Sequence, residues 1–293
     1  MNSRLQIWLS AARPKTLWAA IAPVIIGTAM AFSEGQVHLL SAGLALVSAM
    51  LIQIGTNFAN DYFDFKHGVD TSDRLGPTRV SSSGLVNPVQ MKWAFVLAFL
   101  LAFILGLYLI YRGGWPILVI GLLSILFGIL YTSGPYPLSY YGFGDIFVLI
   151  FFGPVAVGGT YYLQTLHITL PVIMAGLSPG LISTALLTVN NLRDINTDRM
   201  TGKKTLAVRF GELFSRMEYL ITMLVACFIP VFLILINPGH TYAIGTIVVF
   251  LFALPSIKAV LFQDIDARLN LVLARTGKLL LLYSIVFSLG WIV

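Results

Sequence analysis

The uncharged segment AFVLAFLLAFILGLYLIY occupies residues 94–111 and predicts the fold class by itself. A helix of about 20 mainly apolar residues crosses the hydrocarbon core of a bilayer. The whole chain has the same character, since 58% of its 293 residues are hydrophobic and only 10% are charged. An average soluble domain is about 25% charged. We therefore predict an all-α, polytopic membrane protein, and exclude a soluble enzyme, a disordered chain and a nucleic-acid-binding tail.

Working outward from this segment, we find nine apolar stretches of spanning length. The predicted spans are residues 17–33, 39–59, 94–111, 115–131, 146–163, 171–189, 218–236, 242–262 and 277–293. We expect them to form one bundle, which is a single domain over residues 1–293. Soluble core helices would need far more polar sequence between them.

The basic residues predict the orientation of the bundle. A cytoplasmic N-terminus places the following loops in the cytoplasm: 1–16, 60–93, 132–145, 190–217 and 263–276. Of the 18 Lys and Arg residues, only Arg112 then falls elsewhere, counting Lys258 and Lys278 with the loops beside them. Cytoplasmic loops carry an excess of Lys and Arg. The net charge of +6 therefore reflects topology and implies no nucleic-acid partner, and we expect a cell-membrane protein.

The remaining ionisable residues restrict the chemistry to carboxylates. Eleven of the twelve acidic residues also lie on the predicted cytoplasmic side, with Glu34 as the exception. His38, His167 and His240 fall on the opposite side, which disfavours a histidine site near the acids. Cys227 is the only cysteine, so disulfides and cysteine-based metal sites are excluded.

Two motifs rich in Asn and Asp follow the second and sixth predicted spans. The first reads NFANDYFDF over residues 57–65, and the second reads NNLRDINTD over residues 190–198. On helices, Asp61 shares a face with Asp64, and Asp194 shares one with Asp198. Brought together, these charges would repel one another unless a cation intervened. Oxygen ligands favour Mg²⁺, which is usually shared with substrate phosphates, so we predict a Mg²⁺–diphosphate site. The alternative is a set of solvated helix caps.

Basic residues accompany both motifs. They are Lys66, Arg74, Arg79, Arg193, Lys203 and Lys204. A diphosphate needs such donors to offset its charge and to stabilise the departing anion. Positive-inside placement would also supply them, and Arg79 and Arg193 are the best candidates for a role in the site. No GxxxxGK[ST] sequence is present, so a P-loop is excluded.

An aromatic loop reads YTSGPYPLSYYGFGD over residues 131–145. Tyr131 and Tyr140 suit an apolar substrate or a passing carbocation through cation–π attraction. Anchoring at the membrane interface is the other interpretation of these tyrosines. Asp145 opens a predicted helix, where capping competes with a catalytic role.

Taken together, these motifs resemble the UbiA superfamily of intramembrane prenyltransferases. The resemblance rests on NDxxD at 60–64 with the following Asp70, on the loop that contains Arg79, and on NNxRDxxxD at 190–198. It covers nearly the whole chain from Arg13 onward. The tracts at 131–145, 151–155, 159–162 and 190–209 are most similar to the branch that prenylates 1,4-dihydroxy-2-naphthoate.

The resemblance implies a nine-helix bundle with a cavity that opens laterally to lipid. It implies transfer of a polyprenyl group from its diphosphate to 1,4-dihydroxy-2-naphthoate with loss of CO₂, giving demethylmenaquinone. The implied Mg²⁺ ligands are Asn60, Asp61, Asp64, Asp194 and Asp198, of which the four aspartates are the expected catalytic residues. The expected diphosphate-binding residues are Asn60, Lys66, Arg79, Arg193, Lys203 and Lys204. The expected acceptor and carbocation residues are Asn57, Tyr131, Tyr140, Asp145, Asn190 and Asn191.

One position departs from the pattern of the superfamily. Some relatives carry a lysine six residues before the aspartate that corresponds to Asp145, and this chain has Ser139 there. Either Arg79, Lys66 or Lys204 replaces that cation, or the diphosphate binds in a slightly different position.

Three other functions stay open on the sequence. A relative that uses 4-hydroxybenzoate, homogentisate, haem or a chlorophyllide would share the acidic motifs. A secondary transporter would place charges near the bilayer midplane, whereas these acids collect at one face. A purely structural subunit leaves the paired motifs unexplained.

Overall fold

The computed structural model describes residues 3–69, 75–77 and 79–293. Every regular element among these residues is helical, which confirms the predicted all-α class. The α-helices are α1 (Arg4–Ala12), α2 (Trp18–Ser33), α3 (Leu39–His67), α4 (Pro88–Gly113), α5 (Trp115–Leu130), α6 (Gly144–Ile150), α7 (Ala156–Thr165), α8 (Leu170–Arg193), α9 (Ile195–Met200), α10 (Leu206–Ile236), α11 (Thr246–Phe262) and α12 (Leu269–Ile292). Short 3₁₀ segments at Pro14–Thr16 and Pro238–Gly245 precede α2 and α11, and a π turn at Phe151–Val155 joins α6 to α7.

Seven helical segments in the described part of the chain are long and apolar enough to cross a bilayer, so the protein is a multi-pass membrane protein. They are Leu39–His67, Pro88–Gly113, Gly144–Thr165, Leu170–Arg193, Leu206–Ile236, Pro238–Phe262 and Leu269–Ile292. Each matches one predicted span. Residues Arg4–Thr16 and Trp18–Ser33, bent by 50°, would make an eighth span if counted together. The 16 residues of α5 are fewer than the about 20 that a span needs, so nine spans are not confirmed.

The break between α6 and α7 lets two backbones touch. Pro154 cannot donate a backbone hydrogen bond, and Gly153 leaves helical geometry with φ −110° and ψ −112°. A Cβ added to Gly153 would lie 2.7 Å from the carbonyl oxygen of Gly176, and one added to Gly176 would lie 2.8 Å from the Cα of Pro154. Only glycines permit this approach. The broken helix is thereby packed tightly against α8, which carries the second acidic motif.

The two largest of the three apolar cores flank a cavity, and the third lies around Leu109 and Leu163. The larger core draws on α2, α7, α8, α10, α11 and α12 and includes the fully buried Tyr219 and Phe287. The smaller core joins α1, α3 and α4 around Phe58 and Met91. The cavity lies among α2 to α8, so its walls come from both halves of the bundle.

The ends of α3 and α8 carry the two acidic motifs. Helix α3 continues to His67, beyond the predicted span end at residue 59, and stops at Gly68, whose φ of 66° is left-handed. Helix α8 ends at Arg193, and Asp194 leaves helical geometry before α9 begins. The predicted pair Asp194 and Asp198 therefore spans a helix junction and not one continuous helix. The N–H of Asp198 nevertheless donates to the carbonyl of Asp194 at 2.8 Å.

Candidate active site

Both acidic motifs face one cavity of about 400 Å³. Ten predicted site residues line it: Asn57, Asn60, Asp64, Arg79, Tyr131, Asn190, Asn191, Asp194, Asp198 and Lys203. Six others are not part of its lining: Asp61, Lys66, Tyr140, Asp145, Arg193 and Lys204. Asp70 and Arg74 lie outside the described residues. The ends of α3 and α8 thus converge as the sequence predicts, but only part of each motif faces the cavity.

Asp64 is the acidic side chain around which the cations of the cavity gather. Its carboxylate accepts a hydrogen bond from Arg79 Nη2 at 2.8 Å and one from the Tyr140 hydroxyl at 2.8 Å. Lys203 Nζ lies 3.6 Å from its Oδ1 and 4.7 Å above the Tyr140 ring. The Asp64 side chain is only 2% exposed, so these interactions are little screened by water. The cationic side chains of Arg79 and Lys203 therefore both lie at the edge of the cavity, beside the Asp64 carboxylate.

The Asp61 carboxylate accepts hydrogen bonds from the backbone of the loop that follows α3. Its two carboxylate oxygens accept hydrogen bonds from the N–H groups of Val80 at 3.1 Å and Ser81 at 3.0 Å. Asp61 is 2% exposed and does not line the cavity. Each oxygen accepts one of these N–H groups and keeps a second lone pair. In this structure Asp61 fixes the loop that holds Arg79.

Arg193 and Asp194 form a buried bidentate pair. Arg193 Nε donates to Asp194 Oδ1 at 2.8 Å, and Nη2 donates to Oδ2 at 2.6 Å. The guanidinium also donates to Asn270 Oδ1 at 2.7 Å and to Asn190 Oδ1 at 2.8 Å. Arg193 is 2% exposed and does not line the cavity. It therefore orients Asp194 and Asn190, both of which do.

The aromatic loop is tied to the segment after α9. The backbone N–H of Lys204 donates to the carbonyl of Tyr140 at 2.7 Å, and the Lys204 side chain is exposed. Removal from water, together with the charge of Asp145, raises the pKa of Tyr131 above its usual range. Tyr131 therefore presents a neutral phenol to the cavity. Asp145 is buried in the first turn of α6.

The remainder of the cavity is apolar and runs along the bundle. Ile52, Phe103 and Leu118 are among its walls, and it reaches Leu109 and Ile117. These last two residues flank the connection between α4 and α5, at the opposite end of the bundle from the acids. The cavity thus combines a charged mouth with an apolar interior, which suits an amphipathic substrate with an anionic head and a hydrocarbon tail.

Comparison with known proteins decides the family. A model described as the UbiA prenyltransferase family matches residues 20–285. The chain belongs to this family. It is 38% identical to the 1,4-dihydroxy-2-naphthoate octaprenyltransferase of Escherichia coli, over 98% of this chain and 96% of that protein. It is 36% identical to the protein of the same name from Haemophilus influenzae, over 100% of this chain and 98% of that protein.

A solved UbiA homologue has the same fold. The structure of a UbiA homologue from Archaeoglobus fulgidus bound to DMAPP and Mg²⁺ superposes with a TM-score of 0.70. The match covers 97% of this chain and 98% of that chain at 14% identity, so it establishes the fold and nothing about function.

The donor set at the mouth of this UbiA-family cavity fits Mg²⁺. The predicted ligands that line it, Asn60, Asp64, Asp194 and Asp198, all offer oxygen. Within residues 3–69, 75–77 and 79–293, no group of three or more His, Cys, Asp or Glu side chains is placed to hold a metal ion. Mg²⁺ is usually bound by one or two carboxylates together with substrate phosphates and water. A Mg²⁺ ion at this site would therefore need oxygens from a substrate diphosphate or from water to complete its coordination.

Two residues of the site were missed by the sequence prediction. Arg13 lines the cavity and has a left-handed backbone with φ 51°. Its signal was the following Pro14, which disfavours a right-handed helical conformation at the preceding residue. Asn270 of α12 accepts from Arg193 and donates to the carbonyl of Leu75 at 2.9 Å, which ties three segments together. No local pattern marks Asn270 as part of the site.

Proposed function

We propose that the protein transfers a polyprenyl group from its diphosphate to 1,4-dihydroxy-2-naphthoate. The observation that carries the proposal is the cavity itself, whose mouth gathers oxygen donors and cations while its interior is apolar. Family membership and the names of relatives that match nearly the whole chain support the same reaction. The product is demethylmenaquinone in its quinol form, on the route to menaquinone.

The mouth of the cavity would bind the diphosphate. Asn60, Asp64, Asp194 and Asp198 would hold Mg²⁺, which when bound neutralises the diphosphate and makes it a better leaving group. Arg79 and Lys203, now held at Asp64, are within reach of the same space and would donate charge-assisted hydrogen bonds to the departing anion. Asp61 would act indirectly, by fixing the Arg79 loop.

The interior of the cavity would protect the reacting carbon. When the bond between the allylic carbon and the diphosphate oxygen breaks, apolar walls keep water from capturing the prenyl cation. The Tyr131 ring faces this space and, as a neutral phenol, can stabilise the cation through its π face. The electron-rich naphthoate ring then forms the new C–C bond, and the carboxylate leaves as CO₂.

A direct assay tests the proposal. The full-length protein in detergent would be given Mg²⁺, a polyprenyl diphosphate and one acceptor at a time. We expect a decarboxylated, prenylated naphthoquinol by mass spectrometry with 1,4-dihydroxy-2-naphthoate. Product with 4-hydroxybenzoate or homogentisate alone would reassign the acceptor. Substrate flux into liposomes without diphosphate release would instead indicate a transporter.

Lys203, and not its neighbour Lys204, is the cation expected to compensate for Ser139. Lys203 lines the cavity 3.6 Å from Asp64, whereas Lys204 is exposed. We expect Lys203→Ala to raise the KM for the polyprenyl diphosphate by about tenfold or more, because a partly desolvated phosphate contact is lost. Lys204→Ala is the matched control and should stay within twofold. Equal effects of the two variants in steady-state kinetics would contradict this assignment.

Gly121 is expected to set how long a prenyl chain the cavity accepts. It lines the cavity, and a Cβ added there meets no atom within 4 Å. Gly121→Leu should therefore narrow the apolar interior without displacing the backbone. We expect kcat/KM to fall about tenfold more for a long polyprenyl diphosphate than for a short one. Gly43→Leu is the control, because Gly43 also has open space around it but lies outside the cavity.

We further propose that residues 1–293 form one domain with nine membrane spans. Helices α1 and α2 together provide one of these spans, and α5 provides another. The active site would then lie on the cytoplasmic side of the membrane. Cys227 is fully buried, so added cysteines can be labelled selectively. A membrane-impermeant maleimide on intact cells should label Tyr242→Cys, at the edge opposite the active site. It should spare Asp264→Cys, at the same edge as the site, until the cells are opened. The reverse pattern would overturn the orientation that the basic residues predict.

A further inference from the structure

The outer face of α11 and α12 carries basic side chains that the mechanism does not use. Arg275 and Lys278 lie on α12, and Lys258 lies on α11, all of them exposed. Neither a hydrogen bond nor an ion pair joins any of the three to another residue in the part of the chain that the structure describes. Charged side chains within spanning helices are costly and are usually paired or functional.

A groove between the two helices connects these cations to an apolar surface. It has a volume of about 410 Å³ and is lined by Arg275 and Lys278 beside Phe252, Leu279 and Leu282. None of these five residues lines the active-site cavity. On the opposite side of α12, a Cβ added to Gly277 would lie 2.8 Å from the carbonyl oxygen of Lys15, which shows how closely that side packs against the bundle. The groove therefore faces outward, toward lipid.

The nearby acidic residues are already engaged with other cations. In the loop between α11 and α12, Asp264 and Asp266 lie 3.8 Å and 2.7 Å from Arg268. On the neighbouring α10, Glu212 lies 3.8 Å from Arg216. Arg275 and Lys278 form no ion pair with any of these three acidic residues, so the groove keeps its two positive charges.

The cations lie toward the ends of α11 and α12 that are on the same side of the bundle as the acidic motifs. At 1.5 Å per helical residue, Arg275 and Lys278 lie about 9 Å and about 13 Å from the first residue of α12. Lys258 lies about 6 Å from the last residue of α11. Basic pockets between spanning helices are binding sites for acidic lipid head groups.

We propose that this basic groove, formed by Phe252, Arg275, Lys278, Leu279 and Leu282, binds one anionic phospholipid. The lipid phosphate lies between the two cations, with Lys258 as a nearby third charge. One acyl chain packs along the exposed Phe252 and the half-buried Leu282. Charge complementarity selects an anionic head group, since the amine of a zwitterionic lipid would bring a further positive charge beside Arg275 and Lys278. This site is independent of the proposed reaction.

Native mass spectrometry of the full-length protein tests the proposal. The protein would be titrated with phosphatidylglycerol or phosphatidylcholine in neutral detergent, and retained lipids would be counted. We expect one tightly held phosphatidylglycerol. Each basic side chain adds about fivefold to the affinity for an anionic surface, so Arg275→Gln with Lys278→Gln should weaken binding about 30-fold. Arg4→Gln with Lys92→Gln removes the same charge outside the groove and should leave binding unchanged.

A second variant distinguishes lipid binding in the groove from non-specific electrostatic attraction to the protein surface. Leu282→Trp keeps both cations but fills the apolar wall, and it should also reduce retention of phosphatidylglycerol by several-fold. Unchanged retention in this variant or in the double Gln variant overturns the proposal. Equal retention of phosphatidylcholine by the wild-type protein overturns it as well. Displacement of the lipid by millimolar inorganic phosphate would identify a site for free phosphate instead.

Discussion

Replacing Asp64 with Asn is expected to lower kcat for prenyl transfer by about 10³-fold. Asp64 lines the cavity and is the carboxylate to which Arg79, Lys203 and Tyr140 are all directed. The amide keeps the shape of the side chain and can still accept a hydrogen bond from Tyr140. It loses the negative charge that a shared Mg²⁺ needs. Arg79, whose side chain is 9% exposed, loses its charged partner in this variant, so some stability should be lost as well, but the fall in kcat should be larger than that loss explains.

The measurement is single-turnover prenyl transfer by purified protein, with thermal unfolding in the same detergent as the test of folding. Asp264→Asn is the matched control, because the Asp264 side chain is 96% exposed on a loop. Excess chelator should reproduce the loss in the wild-type protein, and added Mg²⁺ should reverse it. An Asp64→Asn variant that keeps more than a tenth of the activity, or full activity in chelator, would contradict the shared-metal site.

The spans and the two acidic motifs could be predicted because each has a signal within a single stretch of sequence. Apolar length alone locates seven helices, and the NDxxD spacing places Asp61 and Asp64 at the end of one of them. Helix α5 shows the limit of this signal. The predicted apolar stretch does form a helix. The helix has only 16 residues, however, because it ends at Leu130, before the turn that leads into the aromatic loop.

The direction of each side chain could not be predicted in the same way. The sequence motif does not distinguish Asp61 from Asp64. In the structure, however, the backbone N–H groups of residues 80 and 81 donate hydrogen bonds to Asp61 and not to Asp64. Lys203 and Lys204 are neighbours after Gly202, whose left-handed φ of 77° sets the path of the chain there. Such outcomes depend on contacts between segments far apart in sequence, for which a single sequence carries no local signal.

Replacing Asp194 with Ala is expected to destabilise the folded protein by about 3–5 kcal/mol, in addition to any catalytic effect. Its partner Arg193 has a side chain only 1% exposed, and both carboxylate oxygens of Asp194 accept hydrogen bonds from it. The variant leaves a guanidinium in a site that water does not reach. The variant should therefore begin to unfold at a lower concentration of denaturing detergent than the wild-type protein. Asp198→Ala should remain close to the wild-type protein in stability, because Asp198 is only half-buried.

A double variant separates the structural role of Asp194 from its catalytic role. Replacing a buried ion pair with apolar residues is often neutral for stability, so Arg193→Met combined with Asp194→Ala should recover much of the lost stability. Asn190 and Asn270, which also accept from Arg193, are only half-buried and can bond to water instead. If the double variant is stable but inactive, Asp194 serves the reaction itself. If the single Ala variant is as stable as wild type, the Arg193 pair does not hold the end of α8, and the buried geometry described for it is refuted.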